Sequence, residues 1–102
     1  MTETKWIIDE DSEKEAKTSI RKKQTALEKW QSYHDDVSAN PFYSSVPRRV
    51  AKLKGTSYPD GTYRYRKDPL RVVYFPEKST QTIYTLEAAT SATAAYKIRS
   101  KK

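Results

Sequence analysis

Three arginines in the middle of the chain have the residue type and spacing expected of a phosphate-binding site. Arg64 and Arg66 lie two residues apart in a β-forming segment at 62–67, so both should point to the same face of a strand. Arg71 is the one charge in the apolar run Leu70–Phe75, a composition typical of a buried strand. A forked guanidinium matches the oxygens of a phosphodiester. The pattern therefore predicts that the three arginines converge on one face and bind a phosphodiester.

Arg71 also allows a simpler interpretation. The segment Lys67-Asp68-Pro69 interrupts the strand pattern and predicts a turn directly before it. Arg71 could therefore lie at a solvated strand end beside that turn, where a charge costs little.

Tyrosines alternate with these arginines and have two possible roles. Tyr58, Tyr63, Tyr65 and Tyr74 could stack on unpaired bases beside the phosphate-binding groups. Alternate tyrosines on a strand more often pack into a core or against neighbouring strands. For Tyr63 and Tyr65 we favour packing against helices.

The charge of the chain favours an anionic partner. Its 102 residues carry a formal net charge of +7 with a pI near 9.6. Residues 1–19 sum to −3 and residues 41–78 to +6, so the basic character lies around the arginines. The basic residues flanking them are the candidate RNA-binding residues, although such a run can also be a plain solvated face: Arg48, Arg49, Lys52, Lys54 and Lys67.

Composition narrows the class of protein. A chain of this length predicts a single domain over 1–102. It has no cysteine and one histidine, His34, so thiol chemistry is excluded and a metal site is not expected. No run approaches the roughly 18 apolar residues of a membrane span, and the first residues lack the form of a signal peptide. We therefore expect a cytoplasmic protein without a membrane segment, metal or cofactor.

The helical part of the chain lies between residues 12 and 37. Ser12 to Glu15 fit a capping box, with Ser12 as the N-cap, and no glycine or proline follows until the Asn40-Pro41 pair. The polar run at 21–24 permits either one long helix or two helices with a break. We favour a helical hairpin, because a single helix would leave Trp30 and Val37 far from any core that a small domain can build.

Four segments have β-forming composition. They are Lys5–Ile8, Thr62–Lys67, Leu70–Phe75 and Thr80–Glu87, and the last two should form an antiparallel hairpin through a turn at 76–79. The small residues at 88–96 predict a loop or a short helix. The fold class is therefore α+β, with the helical hairpin on one face of a three- or four-stranded, largely antiparallel sheet whose other face is open.

The order of the motifs resembles the RelE/ParE superfamily of bacterial type II toxins. The resemblance is carried by Leu53-Lys54-Gly55, then Tyr63-Arg64-Tyr65-Arg66, then Leu70-Arg71-Val72-Val73-Tyr74, with a strand and a late tyrosine after them. It is strongest over residues 50–75. A helical hairpin packed on one face of a small antiparallel sheet is also the fold that this resemblance implies.

The resemblance further implies a mechanism and partners. RelE-like toxins cleave messenger RNA in the ribosomal A site by promoting attack of a 2′-hydroxyl on the adjacent phosphate, and an acidic antitoxin neutralises them. By position, Arg71 would hold the scissile phosphate, Arg64 and Arg66 would orient the strand, and Tyr96 would match the late family tyrosine.

The chain departs from the nuclease pattern at Thr90-Ser91, where those members carry an arginine or histidine. No ionisable residue lies between Glu87 and Tyr96, so no obvious residue can act as the general acid that protonates the leaving oxygen. Two alternatives therefore stay open: a non-catalytic binding toxin, either a ParE-like inhibitor of DNA gyrase or an inactive relative, and a basic nucleic-acid-binding module unrelated to toxins.

Overall fold

The computed structural model describes residues 5–53 and 58–90, which form a helical layer and a β-sheet layer. A short 3₁₀ turn at Thr18–Ile20 follows the first helix. The chain order of the strands and α-helices is β1 (Ile7–Ile8), α1 (Glu10–Lys17), α2 (Gln24–Leu27), α3 (Trp30–Ala39), β2 (Val50–Lys52), β3 (Tyr63–Lys67), β4 (Leu70–Glu77) and β5 (Thr82–Thr90). The predicted α+β class and helical hairpin are confirmed.

Helix α1 begins earlier than the sequence suggested. Asp9 is the N-cap, and its carboxylate accepts a hydrogen bond of 2.9 Å from the Ser12 backbone N–H. Ser12, the cap that the sequence predicted, lies inside the helix, and its hydroxyl accepts from the backbone N–H of Thr85 at 3.0 Å. The prediction of Ser12 as N-cap is therefore wrong, because the serine is used to bind a strand.

The predicted break at 21–24 is present. The chain leaves α1 through the 3₁₀ turn and resumes as α2 at Gln24, so one long helix is excluded. The turn brings α3 back over the sheet, where Trp30, Tyr33 and Val37 are buried. Helix α3 ends at Ala39, one residue before the Asn40-Pro41 pair, as predicted.

The sheet has five strands in the order β1-β5-β4-β3-β2. Strand β1 pairs in parallel with β5, and the other neighbours are antiparallel. The expectation of three or four strands was therefore too low. Strand β4 continues to Glu77 and β5 to Thr90, so the expectation of a loop or helix is wrong for residues 88–90. Residues 91–96 lie outside the described residues.

The helices within the described residues pack on one face of the sheet. Their buried side chains form a single cluster with residues of the sheet that include Tyr65, Tyr74 and Ile83. The Tyr33 ring lies 5.5 Å from the ring of Tyr65 and 6.0 Å from that of Tyr74, measured between centroids. These tyrosines fix which face of β3 and β4 is turned to the helices, and the alternate residues face the other way.

No helix in the part of the chain that the structure describes is long and apolar enough to cross a membrane.

Candidate nucleic-acid interface

The three predicted arginines share the face of the sheet opposite the helices. Arg66 lies directly across from Arg71 in the β3–β4 pairing, and Arg64 lies across from Val73. Directly opposed residues on antiparallel strands point to the same face, with Cβ atoms about 5 Å apart. Strand alternation then places Arg64 and Arg66 together. The register therefore brings the three guanidinium groups to one region, which we call the arginine face.

A carboxylate in the adjoining turn pairs with two of these arginines. Asp68, in the turn between β3 and β4, lies 2.7 Å from Nη1 of Arg71 and 3.7 Å from Nε of Arg66. The hydrogen bond and charge of Arg71, helped by Arg66, lower the pKa of the Asp68 carboxyl. Asp68 is therefore ionised at neutral pH and occupies the position of an anion between two arginines.

Arg71 lies at the strand end that the simpler interpretation predicted, but it is not solvated there. Its side chain is 11% exposed and its Nη1 also donates to the Leu70 carbonyl at 3.1 Å. It lies at the start of β4 beside the turn, and it also faces Arg66 across the strand pair. Position at a strand end and convergence with the other arginines are compatible.

Arg64 has fewer partners than Arg71. Its Nε is buried without a hydrogen-bond partner. Burial lowers the pKa of its guanidinium, and the charges of Arg66 and Arg71 lower it further. An unpaired buried donor costs on the order of 1–3 kcal/mol. An anion placed at Arg64 would relieve both the unpaired donor and the repulsion.

Three of the flanking basic residues lie near the β3–β4 turn. Arg48, Arg49 and Lys67 line a pocket of about 200 Å³ together with Arg66 and Asp68.

Two of these residues also bind the helical layer. Arg49 forms an ion pair of 3.8 Å with Asp36, and its guanidinium lies over the Tyr65 ring. Lys67 donates to the Ser32 hydroxyl at 3.0 Å. Arg48 is exposed, with a left-handed backbone at φ 66°.

Of the remaining predicted residues, only Lys52 is described, and it does not join this group. Lys52 lies at the other end of the β2–β3 pair and lines a separate groove with Asp60 and Glu77. Lys54 and Tyr96 lie outside the described residues, so their predicted roles stay predictions.

The tyrosines of β3 and β4 serve packing. Tyr65 and Tyr74 are fully buried, and the Tyr65 hydroxyl donates to Asp36 at 2.7 Å. Tyr63 stacks on Tyr74 at a centroid distance of 6.2 Å and meets the Phe42 ring edge-on. The preference for packing against helices is confirmed for Tyr65, which meets Tyr33 of α3. Tyr63 also packs, but against Phe42 and Tyr74 rather than against a helix, and Tyr74 is as buried as Tyr65.

Two acidic groups near the arginines had no role in the sequence analysis. Asp68 could have been found, because it lies two residues from Arg66 and three from Arg71. Glu87 lies across from Val73 and so shares the row of Arg64, a relation that depends on register. Its carboxylate accepts a hydrogen bond from the Tyr58 hydroxyl, and burial together with that carboxylate raises the pKa of Tyr58.

Among residues 5–53 and 58–90, no group of three or more His, Cys, Asp or Glu side chains could hold a metal ion.

The comparisons with known proteins agree with this architecture. The structure resembles a chain in the crystal structure of the RelBE2 toxin–antitoxin complex from Mycobacterium tuberculosis, with a TM-score of 0.57, 14% identity and coverage of 87% of this chain and 94% of that chain. It also resembles a chain of the archaeal RelE–RelB complex from Pyrococcus horikoshii, with a TM-score of 0.54, 24% identity and coverage of 87% and 97%.

Comparisons at the sequence level give no match, either to a family model or to a curated protein. At these identities the structural likeness shows the fold alone. The chain therefore has a RelE-like fold. The resemblance first seen in its motifs is confirmed for the fold.

Proposed function

We propose that this chain is the toxin of a type II toxin–antitoxin pair and that it cleaves messenger RNA in the ribosomal A site. The observation that carries the proposal is the arginine face, where three guanidinium groups converge and one of them has a buried, unpaired Nε. A phosphodiester supplies the charge and the hydrogen-bond acceptors that this cluster lacks. The RelE-like fold supports the choice of RNA cleavage among phosphodiester chemistries.

In the proposed reaction, the RNA 2′-oxygen bonds to the adjacent phosphorus and the bond to the 5′-oxygen breaks. The products are a 2′,3′-cyclic phosphate and a 5′-hydroxyl, so one proton leaves the 2′-hydroxyl and one reaches the 5′-oxygen. Arg71 would hold the scissile phosphate and, with Arg64, stabilise the negative charge of the pentacoordinate transition state. Arg66 would orient the strand, and the phosphate would take the place of Asp68 beside Arg71.

Removal of the proton from the 2′-hydroxyl is assigned to Tyr96, the late tyrosine of the family pattern, and the proton that reaches the 5′-oxygen would come from water. Arginine is a poor base, because losing a proton at pH 7 costs about 7.5 kcal/mol from a pKa near 12.5, against about 4 kcal/mol for an ordinary tyrosine. Asp68 is a poor acid, since Arg71 lowers the pKa of its carboxyl.

The proposal includes an acidic antitoxin as partner and the cytoplasm, where ribosomes translate, as the place of action. Both solved structures described above are toxin–antitoxin complexes. A net charge of +7 suits an acidic segment that folds on binding.

A binding toxin without nuclease activity is the second candidate. This candidate is favoured because both carboxylates of the described arginine face are already engaged. Arg71 holds Asp68 ionised, and Glu87 accepts a hydrogen bond from the Tyr58 hydroxyl. Such a chain would block a target such as DNA gyrase, or it would bind RNA without cutting it.

The deciding experiment is induced expression in a bacterium with mapping of messenger RNA 5′ ends. We expect cuts within translated codons that disappear with Arg64→Gln and persist with Lys22→Gln, a control on the exposed turn after α1. Growth arrest with intact messages would contradict the nuclease. DNA damage would then indicate gyrase, and arrest that persists with Arg64→Gln would remove the arginine face from the function altogether.

A further inference from the structure

A second basic surface lies on the helical layer, on the side of the sheet away from the arginine face. It is a groove of about 470 Å³ lined by Lys14, Lys17, Thr18, Arg21 and Leu27. The three cations come from α1 and the turn after it, at spacings of three and four residues that place side chains on one side of a helix. We call this surface the helical groove.

The cations of the helical groove form no ion pairs within the described residues. None of Lys14, Lys17 and Arg21 forms an ion pair with a carboxylate in 5–53 or 58–90. The Lys17 ammonium lies 5.5 Å from the centre of the Trp30 ring, which places it at the groove wall. Lys14 and Arg21 are exposed. The groove therefore presents three positive charges to a partner.

The bottom of the groove is apolar. Leu27 is partly buried and packs against the main core, so its remaining surface is held in a fixed place. A partner that fills the groove therefore gains from burying an apolar group against Leu27 as well as from placing negative charge near the cations.

We propose that the helical groove binds an acidic peptide segment of a partner protein that carries at least one large apolar side chain. The chain's own C-terminal segment does not fit, because residues 97–102 carry four cations. A second copy also carries a net charge of +7. A phosphodiester backbone offers charge without an apolar group for Leu27. Carboxylates flanking an aliphatic or aromatic side chain supply both.

The helical groove and the arginine face lie on opposite sides of the sheet. An acidic segment in the groove would leave Arg64, Arg66 and Arg71 uncovered, so inhibition would require a further segment that reaches them. In the proposed toxin, the antitoxin is the source of the groove-binding segment. Peptide binding to the groove does not require RNA cleavage, so the two proposals can fail separately.

The test is selection of phage-displayed random peptides on the purified chain at near-physiological salt, with counter-selection on Lys14→Glu/Arg21→Glu. We expect the enriched peptides to be acidic and to carry a large apolar residue. A synthetic enriched peptide should bind this variant about tenfold more weakly than the wild type. The matched control is Lys22→Glu/Lys23→Glu, which makes the same charge change outside the groove and should weaken binding less than about threefold.

Thermal unfolding of both variants checks that they fold. The proposal is overturned by an absence of enrichment, by enriched peptides without acidic residues, or by equal weakening in the two double variants. A labelled single-stranded RNA provides a further arm. If Lys14→Glu/Arg21→Glu weakens RNA binding clearly more than Lys22→Glu/Lys23→Glu does, the groove binds RNA and the peptide assignment is wrong.

Discussion

The guanidinium of Arg64 occupies a position that is unfavourable in the free protein. Its Nε is buried without a partner, and two further arginines share its face. Arg49 is the opposite case, because it pairs with Asp36 and lies over the Tyr65 ring. An arginine kept at a net cost is expected where a ligand is bound, whereas one with satisfied contacts serves the fold.

Arg64→Met should therefore stabilise the protein while weakening RNA binding. Removing the unpaired donor, together with the repulsion between Arg64 and the charges of Arg66 and Arg71, should raise the free energy of unfolding by about 1 kcal/mol. That corresponds to a rise in Tm of roughly 4–8 °C for a domain of this size. Arg49→Met, the matched control, should lower Tm because it breaks contacts with Asp36 and Tyr65. Calorimetry measures both, and a lower Tm for Arg64→Met would mean that Arg64 supports the fold.

Asp68→Asn should strengthen binding of an uncleavable 2′-O-methyl RNA. The carboxylate occupies the place beside Arg71 that we assign to phosphate, so removing its charge should strengthen binding by at most roughly fivefold. Fluorescence anisotropy gives the dissociation constant. Asp60→Asn, in the turn before β3, controls for net charge. Weaker binding by Asp68→Asn would instead identify Asp68 as a residue that positions Arg71.

At the level of elements, the helices fix which face of the sheet carries the arginines. Tyr33 of α3 is fully buried, and its hydroxyl shares a hydrogen bond of 2.7 Å with the hydroxyl of Thr85 on β5. Burial raises the pKa of Tyr33, so this hydroxyl stays protonated throughout the physiological range. The bond ties the helical layer to the strand that also binds Ser12.

Tyr33→Phe should lower the free energy of unfolding by about 1–2 kcal/mol, because it leaves the buried Thr85 hydroxyl without its partner. Thr85→Val should cost a similar amount. The double variant should be destabilised by clearly less than the sum of the two, since it removes both groups. Urea unfolding of the four proteins measures this coupling. Additive losses would show that the two hydroxyls do not depend on each other.

For the whole molecule, the separation of charge predicts a defined salt dependence of RNA binding. Three phosphate contacts with single-stranded RNA give a slope of about −2 when the logarithm of the association constant is plotted against the logarithm of salt concentration. The affinity should then fall about twentyfold between about 50 and 200 mM salt. Arg64→Gln should reduce the magnitude of the slope by about 0.7, and Lys22→Gln should leave it unchanged. Equal reduction by both variants would indicate diffuse binding by net charge.

Much of the fold was predictable because its signals are local. The apolar spacing, the polar run at 21–24 and the Asn40-Pro41 stop located the helical hairpin, and the residues around Arg64, Arg66 and Arg71 located β3 and β4. The start of α1 was missed because Asp9 and Ser12 are both good caps, and the sequence does not show that the Ser12 hydroxyl accepts from the distant Thr85 N–H. Ala88 and Ala89 have weak β propensity and become strand through pairing with β4.

The sequence by itself determined the basic character of the chain, the order of its elements and the arginines that alternate with tyrosines on β3. Strand periodicity is a property of the backbone, so it placed Arg64 and Arg66 together without any tertiary information. Tertiary structure decided what lies across from them, because register depends on turns and on burial far along the chain. It set Arg66 opposite Arg71 and Glu87 in the row of Arg64, and it left the Arg64 Nε buried without a partner.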